Sequence, residues 1–167
     1  MSKSICHIRS VLTSNDCENI LNSEYYGEEE IFGEYGEMSV DVSQEIKDKI
    51  QSAVGNHLES LKIFHRYDLD CTKIAHIKSV IPAHCDPVHD EAGHKYTRHF
   101  VCVVYLTEFD MGEIIFPQHK VVIKPNRGDI VIFPTGPFYQ HQVNISFGER
   151  WILRANFNFV VKGDGEY

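Results

Sequence analysis

From about Cys71 onward, apolar residues recur with a period of two, and this pattern restricts the possible fold more than any other feature of the sequence. The apolar segments are short and are separated by proline, glycine and asparagine. Because side chains alternate between the two faces of a strand, such a pattern is typical of an all-β sandwich or jelly roll. The expected strands are 71–79, 98–106, 113–116, 120–124, 129–133, 141–147 and 150–161. We therefore predict a mainly β (α+β) fold whose jelly-roll core spans residues 67–167.

The first 66 residues lack this pattern and predict helices that support the core. Thr13 or Ser14 can cap a helix that runs to about Leu21, since a hydroxyl at this position accepts a hydrogen bond from the first turn. A second helix is expected from Ser43 to about Phe64, where apolar residues recur every three or four positions. Glycines and acidic residues between positions 27 and 37 interrupt the helical pattern. At 167 residues, the chain has the length of one domain.

Composition and charge argue against several classes of function. Hydrophobic residues make up 43% of the chain, yet no apolar run approaches the ~20 residues that cross a bilayer, so no membrane is expected. The five cysteines are scattered and the N-terminus has no long apolar segment of the secretory kind. These features predict reduced thiols and a cytoplasmic location, which for a viral protein is the host cytoplasm. The net charge of −8 argues against binding to a nucleic-acid backbone.

Two histidines and one aspartate form a candidate metal site. On a strand, His84 and Asp86 point to the same side, whereas Cys85 between them points away. His141 lies 55 residues beyond Asp86 and has to be brought to this pair by the fold. Two imidazoles and one carboxylate occupy half of an octahedron, which is the ligand set of catalytic non-haem iron(II). The open half leaves positions for reactants.

Arg150 is a candidate anchor for an anionic cosubstrate. It lies nine residues after His141 and opens an apolar strand pattern. A planar guanidinium can form two parallel hydrogen bonds with one carboxylate, which an ammonium cannot match.

Six short segments carry a resemblance to a known enzyme family. They are HCD at 84–86, RHFVCVVYLT at 98–107, GEIIFP at 112–117, VIKP at 122–125, GDIVIFP at 128–134 and the segment 141–151. Together they resemble the 2-oxoglutarate- and iron(II)-dependent oxygenases of the prolyl 4-hydroxylase type, over roughly the last three fifths of the chain. The resemblance implies a double-stranded β-helix, which is a jelly roll, over a single domain of residues 1–167. It also implies Fe(II), 2-oxoglutarate and O2 as cofactors, with ascorbate as the candidate reductant.

The same resemblance implies roles for individual residues. His84, Asp86 and His141 would bind the metal, and Arg150 with the hydroxyl of Tyr105 would bind the remote carboxylate of 2-oxoglutarate. The segment 87–95 reads as a loop at the mouth of the site. The candidate substrate-binding residues are Arg98, by the resemblance, and Arg154 and Asn156, which share a face with Arg150 by strand alternation. For the two arginines a surface or structural ion pair is an alternative of at least equal weight.

The chain departs from the family at two positions. The collagen-type enzymes have a lysine where this chain has Arg150, and the oxygen-sensing type has an arginine there. A tyrosine about ten residues before the first metal ligands is common in the family, but Ile74, Ala75 and His76 occupy this region here. His76 is therefore considered as a substitute for the second hydroxyl.

Three functions are compatible with the sequence. The first is hydroxylation of proline in a peptide or protein, or of another amino-acid side chain or free amino acid, with decarboxylation of 2-oxoglutarate to succinate. The second is oxidative demethylation of nucleic-acid bases, which would call for a basic groove that the sequence lacks. The third is a jelly-roll module without enzymatic activity, which would not need open metal positions. A zinc site of His84, Cys85, His89 and His94 is a weaker alternative for the metal centre. The oligomeric state is left open.

Overall fold

The computed structural model describes residues 4–32, 35–63, 67–86 and 96–160, without the side chains of 27–32, 35, 68, 70–72, 96–98 and 158–160. The helices are α1 (Ser14–Leu21) and α2 (Gln44–Ser60). The strands are β1 (Cys6–Ile8), β2 (Tyr25–Phe32), β3 (Tyr35–Val40), β4 (Tyr67–Ile77), β5 (Ile81–His84), β6 (Tyr96–Tyr105), β7 (Asp110–Met111), β8 (Ile114–Phe116), β9 (Val121–Ile123), β10 (Ile130–Pro134), β11 (His141–Val143), β12 (Ser146–Phe147) and β13 (Arg150–Val160). Single 3-10 turns lie at Pro117–His119 and Pro137–Tyr139. Neither described helix is long and apolar enough to span a lipid bilayer.

The strands form two main antiparallel sheets and a short two-stranded one. The large sheet has seven strands in the order β1-β10-β6-β13-β4-β3-β2, and the small sheet has four in the order β5-β11-β8-β9. Strands β7 and β12 pair with each other. Neighbours in the sheets are often distant in the sequence, as β13 is from β4, which is the topology of a jelly roll.

An apolar core lies between the large and the small sheet. Val101, Val131 and Phe133 come from the large sheet, while Ile114 and Phe116 come from the small one. Each of these buried side chains stabilises the fold by about 1.5–3 kcal/mol relative to exposure in water. The jelly roll predicted from the period-two pattern is therefore confirmed, and its two sheets enclose the space in which the site lies.

The two helices cover the outer face of the large sheet. Ile46, Ile50, Val54 and Leu58 form one apolar stripe of α2 and belong to the same buried cluster as Leu153 of β13. Such a stripe is the consequence of apolar residues at three- and four-residue spacing. Both predicted helices are present, although α2 ends at Ser60 rather than near Phe64.

The predicted N-terminal cap of α1 is present in detail. The Thr13 hydroxyl accepts a hydrogen bond from the Asp16 backbone N–H at 3.1 Å, and the Asp16 carboxylate accepts one from the Thr13 backbone N–H at 2.9 Å. This reciprocal pair satisfies donors that the first turn would otherwise leave unpaired. Lys49 of α2 reaches the same carboxylate at 2.9 Å, so the cap also joins the two helices.

The prediction of a purely helical support over residues 1–66 is wrong in part. Strand β1 pairs with β10, and the hairpin of β2 and β3 extends the large sheet beyond β4. The glycines and acids between 27 and 37 do not show the alternation by which strands are recognised in a sequence. These residues become strands because β4 offers them an unpaired edge, which is a tertiary effect.

Two predicted strands near the candidate metal site also differ from the structure. The expected strand 141–147 is divided into β11 and β12, which pair with different partners. Strand β5, which ends at His84, was not among the expected strands. Asp86 therefore lies beyond the end of its strand, and the pair His84 and Asp86 is not held by strand alternation as the sequence suggested.

Candidate active site

A cavity that opens to solvent lies between the two sheets. Its walls are largely apolar and include Ile77, Val101, Val103, Ile114 and Ile152. Polar side chains line it in three groups, which are the metal-ligand candidates, a buried arginine with a tyrosine, and a second arginine with a glutamate. An apolar cavity with a few convergent polar groups is the usual form of a ligand site.

His84, Asp86 and His141 come together at one side of this cavity. His84 at the end of β5 is the cross-strand partner of His141 at the start of β11, and their rings lie 4.3 Å apart between centroids. An Asp86 carboxylate oxygen lies 3.7 Å from His141 Nε2. One potential ligand atom from each residue lies within 4.8 Å of the other two, which is compatible with a shared metal ion.

The backbone orients these side chains. The Nδ1 atoms of His84 and His141 lie 2.9 and 3.1 Å from the carbonyl oxygens of Pro82 and Tyr139. A carbonyl oxygen can only accept, so each Nδ1 carries the proton and each Nε2 keeps its lone pair for a metal. The Asp86 carbonyl oxygen accepts a hydrogen bond from the Gly136 backbone N–H at 3.2 Å, which holds the segment after β5 in place.

The electrostatic environment keeps His141 in the form that binds metals. Burial lowers the pKa of His141, and the neighbouring His84 acts in the same direction, while the Asp86 carboxylate opposes both. The imidazole is therefore neutral at pH 7, as a metal ligand has to be. Two imidazoles and one carboxylate on one side of an ion fit ferrous iron and leave its other side open.

Arg150 is a buried cation without a described counter-ion. Arg150 is the first residue of β13 and lies opposite Ile77 of β4. Only 2% of its surface is exposed. Within the described part of the chain, its Nε and Nη1 atoms have no hydrogen-bond partner. The guanidinium carbon lies 4.8 Å from the centre of the Phe109 ring, so an aromatic face supports the charge but does not neutralise it. A buried charge of this kind calls for an anionic ligand.

Tyr105 and Gly112 complete the surroundings of this arginine. Tyr105 is fully buried, and its ring centre lies 5.5 Å from the guanidinium carbon. Burial raises the pKa of the Tyr105 phenol although Arg150 acts in the opposite direction, so the hydroxyl keeps its proton and can donate. Gly112 has a φ of +72°, and a Cβ at this position would lie 3.0 Å from Arg150 Nη1. The absence of a side chain there gives the guanidinium its space.

The second arginine, Arg154, lines the same cavity and has a different environment. Its Nη2 lies 2.8 Å from a carboxylate oxygen of Glu37, a residue of β3 that is 1% exposed. Asn156 is buried on the same face of β13, but it does not line the cavity. The predicted shared face of Arg150, Arg154 and Asn156 is thus present. Arg98 lies in β6, and its side chain falls outside the described residues.

Other histidines of the sequence are not part of the site as described. His76, which the sequence left open as a weak substitute for a second hydroxyl, stacks on Trp151 at 4.4 Å between ring centres, on the face of β4 opposite to Ile77, and it does not line the cavity. His119 stacks on Tyr139. Cys85 is exposed and does not join the group of potential ligands. The suggested zinc ligands His89 and His94, and the predicted loop 87–95, lie outside the described residues.

Sequence reasoning missed Glu37, which lines the cavity, and Phe109 and Gly112, which lie beside Arg150. Glu37 carries no recognisable motif because it reaches the cavity through the pairing of β3 with β4, and Phe109 carries none because it lies in the connection between β6 and β7. Gly112 had a signal, since a glycine before an apolar strand in a resembling segment often marks a backbone turn or a close approach.

Comparison with known proteins agrees with this geometry. Residues 70–158 match the family model of the 2OG-Fe(II) oxygenase superfamily, which is more than half of the chain. A comparison with curated protein sequences gives no significant match.

Several solved structures share the fold. One is the viral collagen prolyl hydroxylase of Paramecium Bursaria Chlorella virus-1 in its 2-oxoglutarate complex, with 24% identity, a TM-score of 0.68, and coverage of 96% of this chain and 98% of that chain. A prolyl-4-hydroxylase of Pseudomonas putida has 20% identity and a TM-score of 0.66, covering 95% of this chain and 94% of that chain. A prolyl hydroxylase of Trichoplax adhaerens, in complex with a hypoxia inducible factor peptide fragment, has 13% identity and a TM-score of 0.63, covering 95% and 84%.

At these identities the likeness to the solved structures establishes the fold, and the family model establishes the kinship. Members of this family use Fe(II), 2-oxoglutarate and O2, and the donor set found between the two sheets suits that chemistry. The chain therefore belongs to the 2OG-Fe(II) oxygenase superfamily and is a 2-oxoglutarate-dependent dioxygenase.

Proposed function

We propose that the protein hydroxylates a C–H bond of proline in a peptide or protein. The proposal is supported by the similarity in fold to prolyl hydroxylases from a virus, a bacterium and an animal. The observation that carries it is the pairing, in one cavity, of a three-residue metal-ligand group with a buried arginine that lacks a described counter-ion. A metal site alone would suit many chemistries, whereas this pairing suits a metal that works with a dicarboxylic cosubstrate.

The proposed ligands of Fe(II) are His84, Asp86 and His141. When bound, the metal supplies adjacent positions at which 2-oxoglutarate and O2 react. In the overall reaction, one atom of O2 enters the new hydroxyl group and the other enters succinate, while CO2 leaves. The task of this chain is to present both Nε2 atoms without protons, and the hydrogen bonds from each Nδ1 to a backbone carbonyl accomplish this.

Arg150 and Tyr105 are proposed to hold the remote carboxylate of 2-oxoglutarate. The guanidinium has N–H donors without a described partner that a carboxylate can use, and the protonated phenol offers a further donor. Ile77 and Ile152 would flank the methylene groups, because both line the cavity beside Arg150. The cosubstrate would thereby be fixed at its anionic end and directed with its keto acid towards the metal ligands.

The aromatic residues around His141 keep this side of the cavity dry. The ring centres of Phe133 and Phe116 lie 4.6 and 5.5 Å from that of His141. Apolar walls of this kind exclude water and strengthen the electrostatic contacts made inside the cavity.

The test is a turnover assay with purified protein, Fe(II), 2-oxoglutarate and O2. Proline-rich peptides should increase succinate formation, and mass spectrometry should find one added oxygen atom on a proline. His84→Ala and Asp86→Ala should lose both bound metal and succinate, whereas Cys85→Ala should retain them because this thiol is exposed and lies outside the ligand group.

Two results would contradict the proposal. If the His84 and Asp86 variants still formed succinate, the metal site would be elsewhere. If only methylated oligonucleotides or another amino acid stimulated the reaction, the chemistry would stand but the substrate would not be proline.

A further inference from the structure

The turn at residues 126–129, between β9 and β10, binds both main-chain polar groups of Tyr105. The Tyr105 N–H donates to the Asp129 carbonyl oxygen at 3.0 Å, and the Gly128 N–H donates to the Tyr105 carbonyl oxygen at 2.8 Å. Tyr105 is the last residue of β6, and the pairing of β6 with β10 ends one residue before it. The turn therefore fixes the main chain at the point from which the Tyr105 side chain reaches the cavity.

The carboxylate of Asp129 holds this turn in shape. It is 1% exposed and accepts three hydrogen bonds, from the Ser10 N–H at 2.9 Å, the Asn126 N–H at 2.9 Å and His7 Nε2 at 2.7 Å. Because a carboxylate can only accept, His7 Nε2 carries a proton in this contact. Hydrogen bonds to a charged acceptor are about twice as strong as those between neutral groups. The conformation of the turn thus depends on this one side chain.

The N-terminal segment packs closely against the same turn. The N–H groups of Val11 and Leu12 donate to the Gly128 carbonyl oxygen at 2.9 and 3.1 Å. Gly128 has a φ of +81°, and a Cβ at this position would overlap with the Leu12 carbonyl oxygen. A displacement of the turn would therefore require the N-terminal segment to move with it.

The Tyr105 hydroxyl has to be placed accurately if it is to donate to a bound carboxylate. The residue is 1% exposed, and its ring centre lies 5.5 Å from the guanidinium carbon of Arg150. Hydrogen bonds weaken steeply outside a narrow range of distance and angle. The direction of the Tyr105 side chain follows from its main chain, whose two polar groups are bound to the turn.

We infer that Asp129 is a positioning residue for 2-oxoglutarate binding, because its carboxylate fixes the turn 126–129 and the turn fixes Tyr105. Asp129 itself does not line the cavity, so it acts only through Tyr105. His7 and Ser10 extend the same chain of contacts to the N-terminal segment. The inference rests on the proposed function, since it assumes that the Tyr105 hydroxyl donates to the remote carboxylate of 2-oxoglutarate.

The first experiment measures the Kd of Fe(II) and the Kd of 2-oxoglutarate by calorimetry in the absence of O2. Asp129→Asn keeps the size of the side chain but replaces one acceptor oxygen by an NH2 group, so the three donors cannot all be satisfied. The Kd of 2-oxoglutarate should rise by about three- to tenfold, the size of one net hydrogen bond, and the Kd of Fe(II) should not change. Val54→Ala, in α2 on the outer face of the large sheet, is the control, since it should lower the stability and leave both Kd values unchanged.

The second experiment tests whether Asp129 acts through the Tyr105 hydroxyl. Tyr105→Phe should raise the Kd of 2-oxoglutarate by about tenfold or more, because it removes a hydrogen bond to a charged group. The double variant Asp129→Asn with Tyr105→Phe should bind within about twofold of Tyr105→Phe alone, since residues that act through one contact are not additive. In turnover assays, Asp129→Asn should raise the KM for 2-oxoglutarate and leave kcat at saturating 2-oxoglutarate unchanged.

The third experiment compares two variants of His7. His7→Gln keeps an N–H donor near the position of Nε2, whereas His7→Leu removes it. His7→Gln should keep a Kd of 2-oxoglutarate close to that of the wild-type protein, and His7→Leu should raise it by about two- to threefold, less than Asp129→Asn because two of the three donors remain.

The possible outcomes separate the inference from the proposed function. Wild-type binding of 2-oxoglutarate by Tyr105→Phe would overturn the role proposed for Tyr105 and this inference with it. If Tyr105→Phe weakens binding but Asp129→Asn does not, or if their effects add in the double variant, the inference alone would be overturned. An equal loss of Fe(II) and 2-oxoglutarate binding in Asp129→Asn would do the same, since it would indicate a general structural role. If Asp129→Asn failed to fold, equal Kd values for the two His7 variants would still overturn the inference.

Discussion

Replacing Arg150 by methionine distinguishes two effects of its charge. One is the free-energy cost of burying the guanidinium in the ligand-free protein, and the other is the contribution of the guanidinium to 2-oxoglutarate binding. Methionine keeps much of the side-chain volume but removes every donor. In the ligand-free protein, the arginine has no described partner for Nε and Nη1, so its removal relieves a desolvation penalty of several kcal/mol for a buried ion. The contacts with the Phe109 and Tyr105 rings, worth about 0.5–2 kcal/mol each, are lost in exchange. We expect the ligand-free variant to be no less stable than the wild-type protein.

The same substitution should strongly weaken the binding of 2-oxoglutarate, although it does not destabilise the ligand-free protein. Truncating one member of a buried charge pair costs about 2–5 kcal/mol, which corresponds to a roughly 30- to 5,000-fold weaker Kd. At a concentration of 100 times the wild-type Kd, 2-oxoglutarate should stabilise the wild-type protein by about 2.7 kcal/mol. For a domain of this size that is a rise in Tm of about 5–11 °C. The Arg150→Met variant should show at most about a third of this rise, and almost none at the upper end of the range.

The assay is thermal unfolding with Fe(II) in the absence of O2, with and without 2-oxoglutarate, together with calorimetric titration of metal and cosubstrate. Arg127→Met serves as the control, because this arginine does not line the cavity, pairs with Glu18 and donates to the Ser14 carbonyl oxygen. A wild-type response of the Arg150→Met variant to 2-oxoglutarate would refute the reasoning. So would an equal loss of metal and cosubstrate binding, since that would indicate general damage to the fold.

Three further predictions concern the support of the site and the fold. Gly112→Ala should raise the KM for 2-oxoglutarate in turnover assays, because a Cβ there would meet Arg150 Nη1 at 3.0 Å and φ is +72°; an unchanged KM would show that the arginine can move without loss. Asp16→Ala should lower the free energy of unfolding in urea by about 0.5–2 kcal/mol, because it removes the reciprocal cap with Thr13, and it also removes an ion pair with the partly exposed Lys49; a change below about 0.5 kcal/mol, as is usual at surface sites, would contradict this. Burial would raise the pKa of Asp129, but hydrogen bonds from two backbone N–H groups and from a histidine outweigh it and lower the pKa. Its contribution to stability should be complete above the ordinary carboxyl pKa of about 4 and lost as the pH falls further, and Asp129→Asn should weaken this acid dependence of unfolding.

The local features of the fold could be predicted from the sequence because their causes are local. Thr13 caps α1 through a residue only three positions away, and the stripe of α2 depends on spacing alone. The period of two likewise follows from the geometry of a strand. By contrast, β2 and β3 are strands because β3 pairs with β4, and a partner about 40 residues away leaves no trace in the pattern of the hairpin itself.

The candidate site also has some features that the sequence predicted and others that depend on tertiary contacts. The sequence suggested His84, Asp86 and His141 by residue type and by resemblance, and the cross-strand pairing of β5 with β11 then brought the two histidines together. The role of His76 was left open because sequence distance to the metal pair does not reveal which face of β4 a side chain occupies.

The sequence by itself determined the residue types from which a ferrous site and a carboxylate anchor can be built, and the face that Arg150 shares with Arg154. Only the tertiary structure decided which of these arginines forms an ion pair with a described carboxylate. Glu37 pairs with Arg154 across a neighbouring strand, whereas Arg150 acts on the Glu113 carboxylate only at longer range. The physical reason is that a charge is compensated through space over a few ångströms, whereas a sequence records only the separation along the chain.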